Sequence, residues 1–552
     1  MKDKIKRYLP YAGVVLAIIL PWFFHSGYLF FSDFSLGPNF NISNWWSGVF
    51  YQDLIMKGLS LVLPVDFLQK VFIGLIILLL LLAGKKIVEQ FTADKWLIFV
   101  ISLFVVFNPF VYDRFLYGQF GVILGLGFFV LFVGNMLQYI LAVDDSDKTK
   151  RFKIDWTLIR ASIFASLTIL HSLHFIFFIL ALVIVFLVIL TADKRLFSQI
   201  FILNFIICAI VVVAINANVI IGIVGNFSNT ANFVQSGIIQ NDLVAFQTSG
   251  KTGGEAISNV LMMSGFWGKD QHRYTDLTSF DTNWGRSFLL LLPLILYGVY
   301  RGFKSEDKKI KWLTGGLLII FGIATFLAVG VRTGLTKAVT LWLFDNLPFY
   351  RGLRETQKWV AIEVVVYLIF LSWGAKEFFQ KKIIARQQSV FKIFLAAIII
   401  MQTPLLLWGF GGQVRPTNYP ADWYEADKLI TAESHCQGNI LFLPWHAYMG
   451  FTWIGNIVSN PAPSFFTCSV ISGTNMEWGG IYDNSQDPTG KKVDNWLSAS
   501  GRTDLLSDDN LSIKYVILAK EVDWKNYQWL SQESQLKLIS DTATLRIYKV
   551  NE

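Results

Sequence analysis

Asp33 stands in Phe31-Ser-Asp-Phe-Ser-Leu-Gly-Pro38, directly after the first of many membrane-length apolar runs. An ionisable side chain held where lipid meets water is costly, so it marks a functional position by default. A partly shielded carboxylate there could act as a general base and draw a proton from an incoming hydroxyl. The plain alternative is an Asp that caps an interfacial helix or faces water. Asp113 lies in a second short connector, Asn108-Pro-Phe-Val-Tyr-Asp-Arg-Phe-Leu-Tyr-Gly-Gln119. Tyr112, Asp113, Arg114 and Gln119 make this connector unusually polar for its place between two apolar runs. An Asp-Arg pair could anchor an anionic head group while a second carboxylate orients an acceptor or a metal. Equally, Asn-Pro ends one helix and the Asp-Arg pair neutralises its surroundings.

Arg351, Arg354 and Lys358 recur at three- and four-residue steps in Tyr350-Arg-Gly-Leu-Arg-Glu-Thr-Gln-Lys358. On a helix they share one face. A lipid phosphate is their natural partner, because Arg offers a planar two-point donor to phosphate oxygens. Pairing with Glu355 and snorkelling to the interface is the competing account. His171 and His174 have a spacing that metal sites sometimes use, but no Cys or carboxylate is near them in sequence. A polar pair at a cavity mouth suits them better than a zinc site. His446 and His272 are lone histidines with no motif around them. Ser249-Gly-Lys-Thr252 mimics a phosphate-binding loop but lacks the required upstream Gly, which is Ala245 here. Asp145-Ser-Asp147 sits in a stretch of alternating charge and reads as a solvated connector.

The elements that must position these residues are apolar. The chain has 552 residues, 54% hydrophobic and 16% charged, against roughly a quarter charged in a soluble protein. About eleven spans are expected, near 8–24, 68–83, 95–110, 120–141, 157–170, 175–191, 199–224, 287–301, 312–330, 358–373 and 391–411. The net charge of +8 does not point to nucleic acid, because Lys and Arg cluster between apolar runs. The clusters alternate. Lys2, Lys4, Lys6 and Arg7, then Lys85 and Lys86, Lys148 to Lys153, Lys194 and Arg195, Arg301 to Lys311, and Lys376 to Arg386 fall on one side. That side is cytoplasmic by the positive-inside rule, so the N-terminus is cytoplasmic and the C-terminal region extracytoplasmic. The first run carries no cleavage site and reads as a signal-anchor in a multi-pass cell-membrane protein.

Residues 25–67, 108–119, 225–286 and 331–357 then form external loops on a transmembrane region, 1–411. The first carries Trp45, Trp46, Phe50 and Tyr51 and should lie along the interface. His171-Ser-Leu-His174 leaves no room for a loop, so a tight turn or a broken helix is expected. After residue 411 the composition shifts. Short β-like runs at Ile440–Leu443, Tyr515–Ala519, Leu536–Ile539 and Leu545–Val550 predict a small mixed α/β domain over 412–552. Cys208 is a small core residue; Cys436 and Cys468 fall in the external domain, where an oxidising compartment permits a disulfide.

This layout resembles the GT-C fold glycosyltransferases: an Asp in the first external loop, a second acidic loop after span three, about eleven helices and an external C-terminal domain. Within that superfamily, Asn108-Pro-Phe-Val-Tyr-Asp-Arg, Pro348-Phe-Tyr-Arg-Gly-Leu-Arg354, Ile513-Lys-Tyr-Val-Ile-Leu518 and Leu545-Arg-Ile-Tyr548 are similar to bacterial arabinofuranosyltransferase-type membrane proteins. The resemblance implies inverting transfer from a polyprenyl-phosphate sugar to a glycan, lipid or protein acceptor. Asp33 would take the acceptor's proton, and Arg351, Arg354 or Lys358 would hold the departing phosphate. Asp113 and Arg114 would shape the donor site, with Tyr112, Gln119, His171 and His174 on the cavity walls. Many members carry adjacent carboxylates in the first loop, whereas Asp33 is followed by Phe34 and the next is Asp53. No metal is therefore assigned, and a divalent ion stays open. Competing readings are a transporter or flippase of lipid-linked substrates and a non-catalytic envelope-assembly protein. Against transport, the acidic residues gather at the outer rim rather than at mid-membrane, apart from residues such as Glu363.

Overall fold

The computed structural model describes residues 2–141, 154–192, 199–225, 238–277, 284–347, 349–381, 387–478, 481–483, 488–501 and 503–551. Asp145-Ser-Asp147 and the basic residues Lys148, Lys150, Arg151, Lys153, Lys194, Arg195, Lys382 and Arg386 lie outside the described residues.

The expected apolar runs all become helix, in three forms. Val65–Val88, Phe120–Leu141, Gly285–Phe303, Lys308–Arg332 and Thr356–Phe379 are continuous and long and apolar enough to cross a membrane. Lys95–Val105 with Pro109–Leu116, Phe201–Ile215 with Ala217–Gly225, and Gln388–Met401 with Pro404–Gly411 are bent pairs, kinked by 52°, 66° and 76°. Tyr8–Phe24, Trp156–His171 and Phe175–Thr191 are shorter apolar helices. Thr356–Phe379 runs through the middle, buried along its length. It packs on Gly285–Phe303 with almost no side-chain layer between them: a Cβ at Gly298 would stand 2.0 Å from the Phe370 carbonyl oxygen, and one at Gly374 1.9 Å from that of Leu294. Small residues at such crossings let backbones meet where lipid supplies no hydrophobic drive.

The bend near residue 108 has a local cause. Pro109 has no N–H to continue the preceding helix, and Asn108 restarts it by accepting a hydrogen bond from Val111 N at 3.0 Å. The short helix Pro109–Leu116 thus turns back into the protein and delivers Tyr117, Gly118 and Gln119 beneath the first external loop.

Among the described residues the C-terminal region holds nine strands: β1 Asn439–Leu443, β2 Tyr448–Phe451, β3 Asn456–Ser459, β4 Val470–Ile471, β5 Met476–Trp478, β6 Ile481–Asp483, β7 Ile513–Ala519, β8 Leu536–Asp541 and β9 Leu545–Val550. The main sheet runs β4-β1-β7-β9-β8, with β1 parallel to β4 and β7, and β9 antiparallel to β7 and β8. All four expected β-like runs lie in it. The pairs β2–β3 and β5–β6, which the sequence reading missed, form two separate hairpins. Cys436 and Cys468 form a disulfide.

The loop 25–67 does not lie loose above the helices. Tyr28 and Thr417 exchange backbone hydrogen bonds of 2.9 Å, Asn39 N donates to Ser464 O at 3.0 Å, and Ser459 N donates to Ser32 O at 2.7 Å. Tyr28, Phe30 and Phe40 are buried in the same apolar core as Trp423, Phe442 and Phe465. The loop is therefore an element of the C-terminal domain, clamped between it and the helices. Beyond Phe40 it reaches outward, through exposed Ile42, Trp45 and Trp46 and a helix, Phe50–Ser60, with Leu54, Ile55 and Leu59 exposed.

Candidate functional site

Asp33 is held from both sides. Its backbone N donates to Tyr117 O at 2.8 Å, and its Oδ2 accepts from Gln119 Nε2 at 3.0 Å. From the C-terminal domain Tyr448 faces the same cavity as the carboxyl. Gly118, at φ +74, makes the approach possible: a Cβ there would stand 2.7 Å from Phe31 Cβ and 2.9 Å from Phe34 Cβ. Burial pushes the Asp33 carboxyl up to about 6, opposed by the Gln119 hydrogen bond and reinforced by the charge of Glu355.

Asp33 opens on a cavity of about 200 Å³ shared with Gln119, Arg354, Glu355, Arg273 and Tyr448. Trp267, Phe246, Gln271 and Glu477 complete the wall. Glu355 is pinned. Its Oε2 accepts from Arg114 at 2.7 Å and from Trp267 Nε1 at 3.1 Å, and Lys358 Nζ stands 3.1 Å from Oε1. Burial works to raise its proton affinity, but the Lys358 and Arg114 charges outweigh it and hold Glu355 well below the usual carboxylate range. Of the three carboxylates on this wall, Asp33, Glu355 and Glu477, the first two are driven to opposite proton affinities, a pattern found where acid-base chemistry is done.

The other expected site residues are dispersed. Arg114 has no exposed surface; it donates to Gln119, Glu355 and Gln357 and stacks on Phe266 at 4.5 Å. It is not on the cavity wall and instead fixes the two side chains that are. Arg351, Arg354 and Lys358 do not share a helix face, because Gly352 and the residues around it form two short 3-10 turns, Tyr350–Leu353 and Thr356–Trp359. Arg354 reaches the cavity, lying over the Phe246 ring at 4.9 Å and 3.8 Å from Asp242. Arg351 turns away to Asp345 at 3.8 Å and to Phe344. Lys358 sits behind Glu355, 3.4 Å from His174 Nε2. That same His174 nitrogen is 2.7 Å from Gly352 O, and burial, then the Lys358 charge, pushes its proton affinity down to about 3.

Asp113 does not line the Asp33 cavity. It is buried 3.5 Å from Lys269, which also pairs with Asp276 at 3.1 Å, and Tyr112 donates to Thr275 O at 2.7 Å. Both residues brace the segment 269–276 rather than face Asp33. His171 lines an apolar groove of about 590 Å³ between the interfacial helix Phe50–Ser60, Val65–Val88 and Trp156–His171. The groove ends near the site, since a Cβ on Gly121, two residues from Gln119, would stand 2.9 Å from His171 O. Between His171 and Phe175 the chain makes a tight turn between two helices, as the missing loop suggested. His446 is not alone: Nδ1 is 2.9 Å from Glu477 and Nε2 3.1 Å from Asp523.

Glu355, Arg273, Tyr448, Glu477, Trp267, Phe246 and Gln271 escaped the sequence reading. Arg273 carried a usable signal, being a basic residue in an external loop, the same reasoning that singled out Arg354. Among the described residues no group of three or more His, Cys, Asp or Glu stands close enough to hold one metal ion.

The chain thus combines a bundle of membrane-length helices, a carboxylate in the loop after the first of them, and a C-terminal sheet domain packed on that loop. No family model and no curated protein matches the sequence. Among solved structures, arabinofuranosyltransferase AftD from Mycobacteria is similar, with 11% identity and a TM-score of 0.58, covering 99% of this chain and 40% of that one. A mutant of AftD gives 12% identity, a TM-score of 0.52, and coverage of 98% and 41%. The archaeal oligosaccharyltransferase AglB from Archaeoglobus fulgidus gives 12% identity and a TM-score of 0.47, covering 93% of this chain and 65% of that one. The chain spans about 40% of the length of the AftD chain it matches.

Proposed function

We propose that this chain is a membrane-embedded glycosyltransferase moving a sugar from a polyprenyl-phosphate donor to an extracytoplasmic glycan, lipid or protein acceptor. The N-terminus is cytoplasmic and the C-terminal domain external. The observation that carries the reading is Asp33: a buried-rim carboxylate of raised proton affinity, oriented by Gln119, facing a cavity with two arginines. The fold shared with arabinofuranosyltransferase AftD supports it.

At neutral pH a carboxyl titrating near 6 is about nine-tenths ionised and still a competent base. The acceptor oxygen attacks the anomeric carbon and its proton passes to Asp33. The bond from that carbon to the phosphate oxygen breaks, and the electron pair leaves on the lipid phosphate. Arg354 and Arg273 oppose the charge developing there. The apolar groove ending at His171 accommodates the lipid tail. A double displacement would need a second carboxylate free to attack the sugar. Glu355 is tied to Arg114, Trp267 and Lys358, and Glu477 to His446 and Asn475, which favours one direct, inverting step. The test is Asp33→Asn in proteoliposomes given a panel of polyprenyl-phosphate sugars. Transfer should fall by about 10²-fold or more; full activity in the variant, or no transfer by the parent with any donor, would overturn the reading.

A further inference from the structure

Beside the Asp33 cavity lies a larger one, a polar cleft of about 990 Å³ between the external loop 249–276 and the β2–β3 turn of the C-terminal domain. We propose that this cleft binds the acceptor as an uncharged oligosaccharide several rings long, an inference that rests on the glycosyltransferase reading. Three observations carry it.

The first is continuity. Arg273 lines both the cleft and the Asp33 cavity, and its guanidinium donates to Ser32 Oγ, next to Asp33, at 3.4 Å. A chain lying in the cleft and crossing Arg273 presents its end to Asp33. The second is charge. Lys251, Lys269 and Arg273 on the walls are matched by Glu255, Asp270 and Asp276. They are interleaved rather than segregated: Lys269 is 3.1 Å from Asp276, and the Lys251 backbone N donates to Glu255 at 2.9 Å. Walls of cancelled charge offer donors and acceptors side by side without a net field, which suits hydroxyls that both donate and accept. An anionic polymer or charged peptide would be met by one dominant sign. The third is size and surface. The volume is at the top of the range for small-molecule sites, roughly 300–1,000 Å³, so it exceeds what one sugar ring needs. Asn456 adds an amide group and Tyr274 an aromatic face, while the Asn259 and Gln413 amides are spent on bonds that hold the wall in place.

The experiment uses the full-length chain carrying Asp33→Asn, so that binding is read without turnover. Neutral pentose and hexose oligomers, from monosaccharide to hexasaccharide, are titrated by saturation-transfer NMR beside uronic-acid oligomers and a charged peptide. Affinity for one neutral series should rise with length. Asp270→Trp, which places a bulky ring on the exposed lip, should weaken it more than tenfold, and Lys251→Trp on another part of the lip should do the same. Equal or better binding of the charged probes, no binding by any neutral oligomer, or unchanged affinity in both folded Trp variants would overturn the assignment. The two readings fail separately. If transfer occurs but both Trp variants keep the parental KM for acceptor, the cleft assignment falls and the enzyme stands. If neutral oligomers bind and the Trp variants lose them while the parent transfers no sugar, the cleft assignment stands and the enzyme falls.

Discussion

Asp33 should set the pH dependence of the reaction. A base must be deprotonated, so kcat/KM should climb about tenfold per unit as pH rises toward 6 and level off above it. A flat profile between pH 5 and about 7 would remove Asp33 from that role. The same shift has a stability sign. A carboxyl raised in the folded state binds its proton more tightly there than in the unfolded chain. Stability is therefore highest below the unfolded value and declines as pH rises through about 6. Asp33→Asn removes that cost, so the variant should melt higher than the parent at pH 7, by about 2–4 °C. A lower melting point would show that the carboxylate stabilises its surroundings instead. Glu355 should behave oppositely. Glu355→Gln leaves Arg114 and Lys358 without their shared counter-charge and should cost about 3–5 kcal/mol in detergent unfolding.

Helices and turns explain which of these residues could be read in advance. Asp33 was legible because one carboxylate after an apolar run is conspicuous by position alone. Arg351, Arg354 and Lys358 were legible as residues but not as geometry. A three- and four-residue spacing means one face only if the segment is an α-helix, and Gly352 sits in a short 3-10 turn instead. Glu355 stood in the same quoted segment, yet only the fold shows that Arg114, 241 positions away, reaches it. The apolar runs were legible as segments, while their bends at Asn108-Pro109, Asn216 and Thr403-Pro404 depend on local hydrogen bonding and proline sterics. At this scale the glycine crossing is the sharpest test. Gly374→Leu should separate Thr356–Phe379 from Gly285–Phe303 and lose folded protein, at a cost of about 3 kcal/mol or more, measured as yield and melting in detergent.

For the molecule as a whole, the C-terminal domain is structural to the site. It supplies Tyr448 and Glu477 to the cavity wall and holds the Asp33 loop through Ser459, Ser464 and Thr417. The disulfide across 32 residues should stabilise it by about 3–4 kcal/mol through the unfolded chain's lost freedom. Replacing both cysteines with Ser should lower the melting temperature and, because Asp33 is anchored there, lower transfer as well. Unchanged transfer at a reduced melting point would separate the two effects.

The interleaving of residues 28–40 with residues 417–465 also has a consequence for the order of events during synthesis. Asp33 precedes Ser459 and Ser464, whose backbone closes on its loop, by more than four hundred positions. A chain made only as far as the helices seats that carboxylate on Tyr117 and Gln119 alone, and the other half of its socket arrives with the late strands.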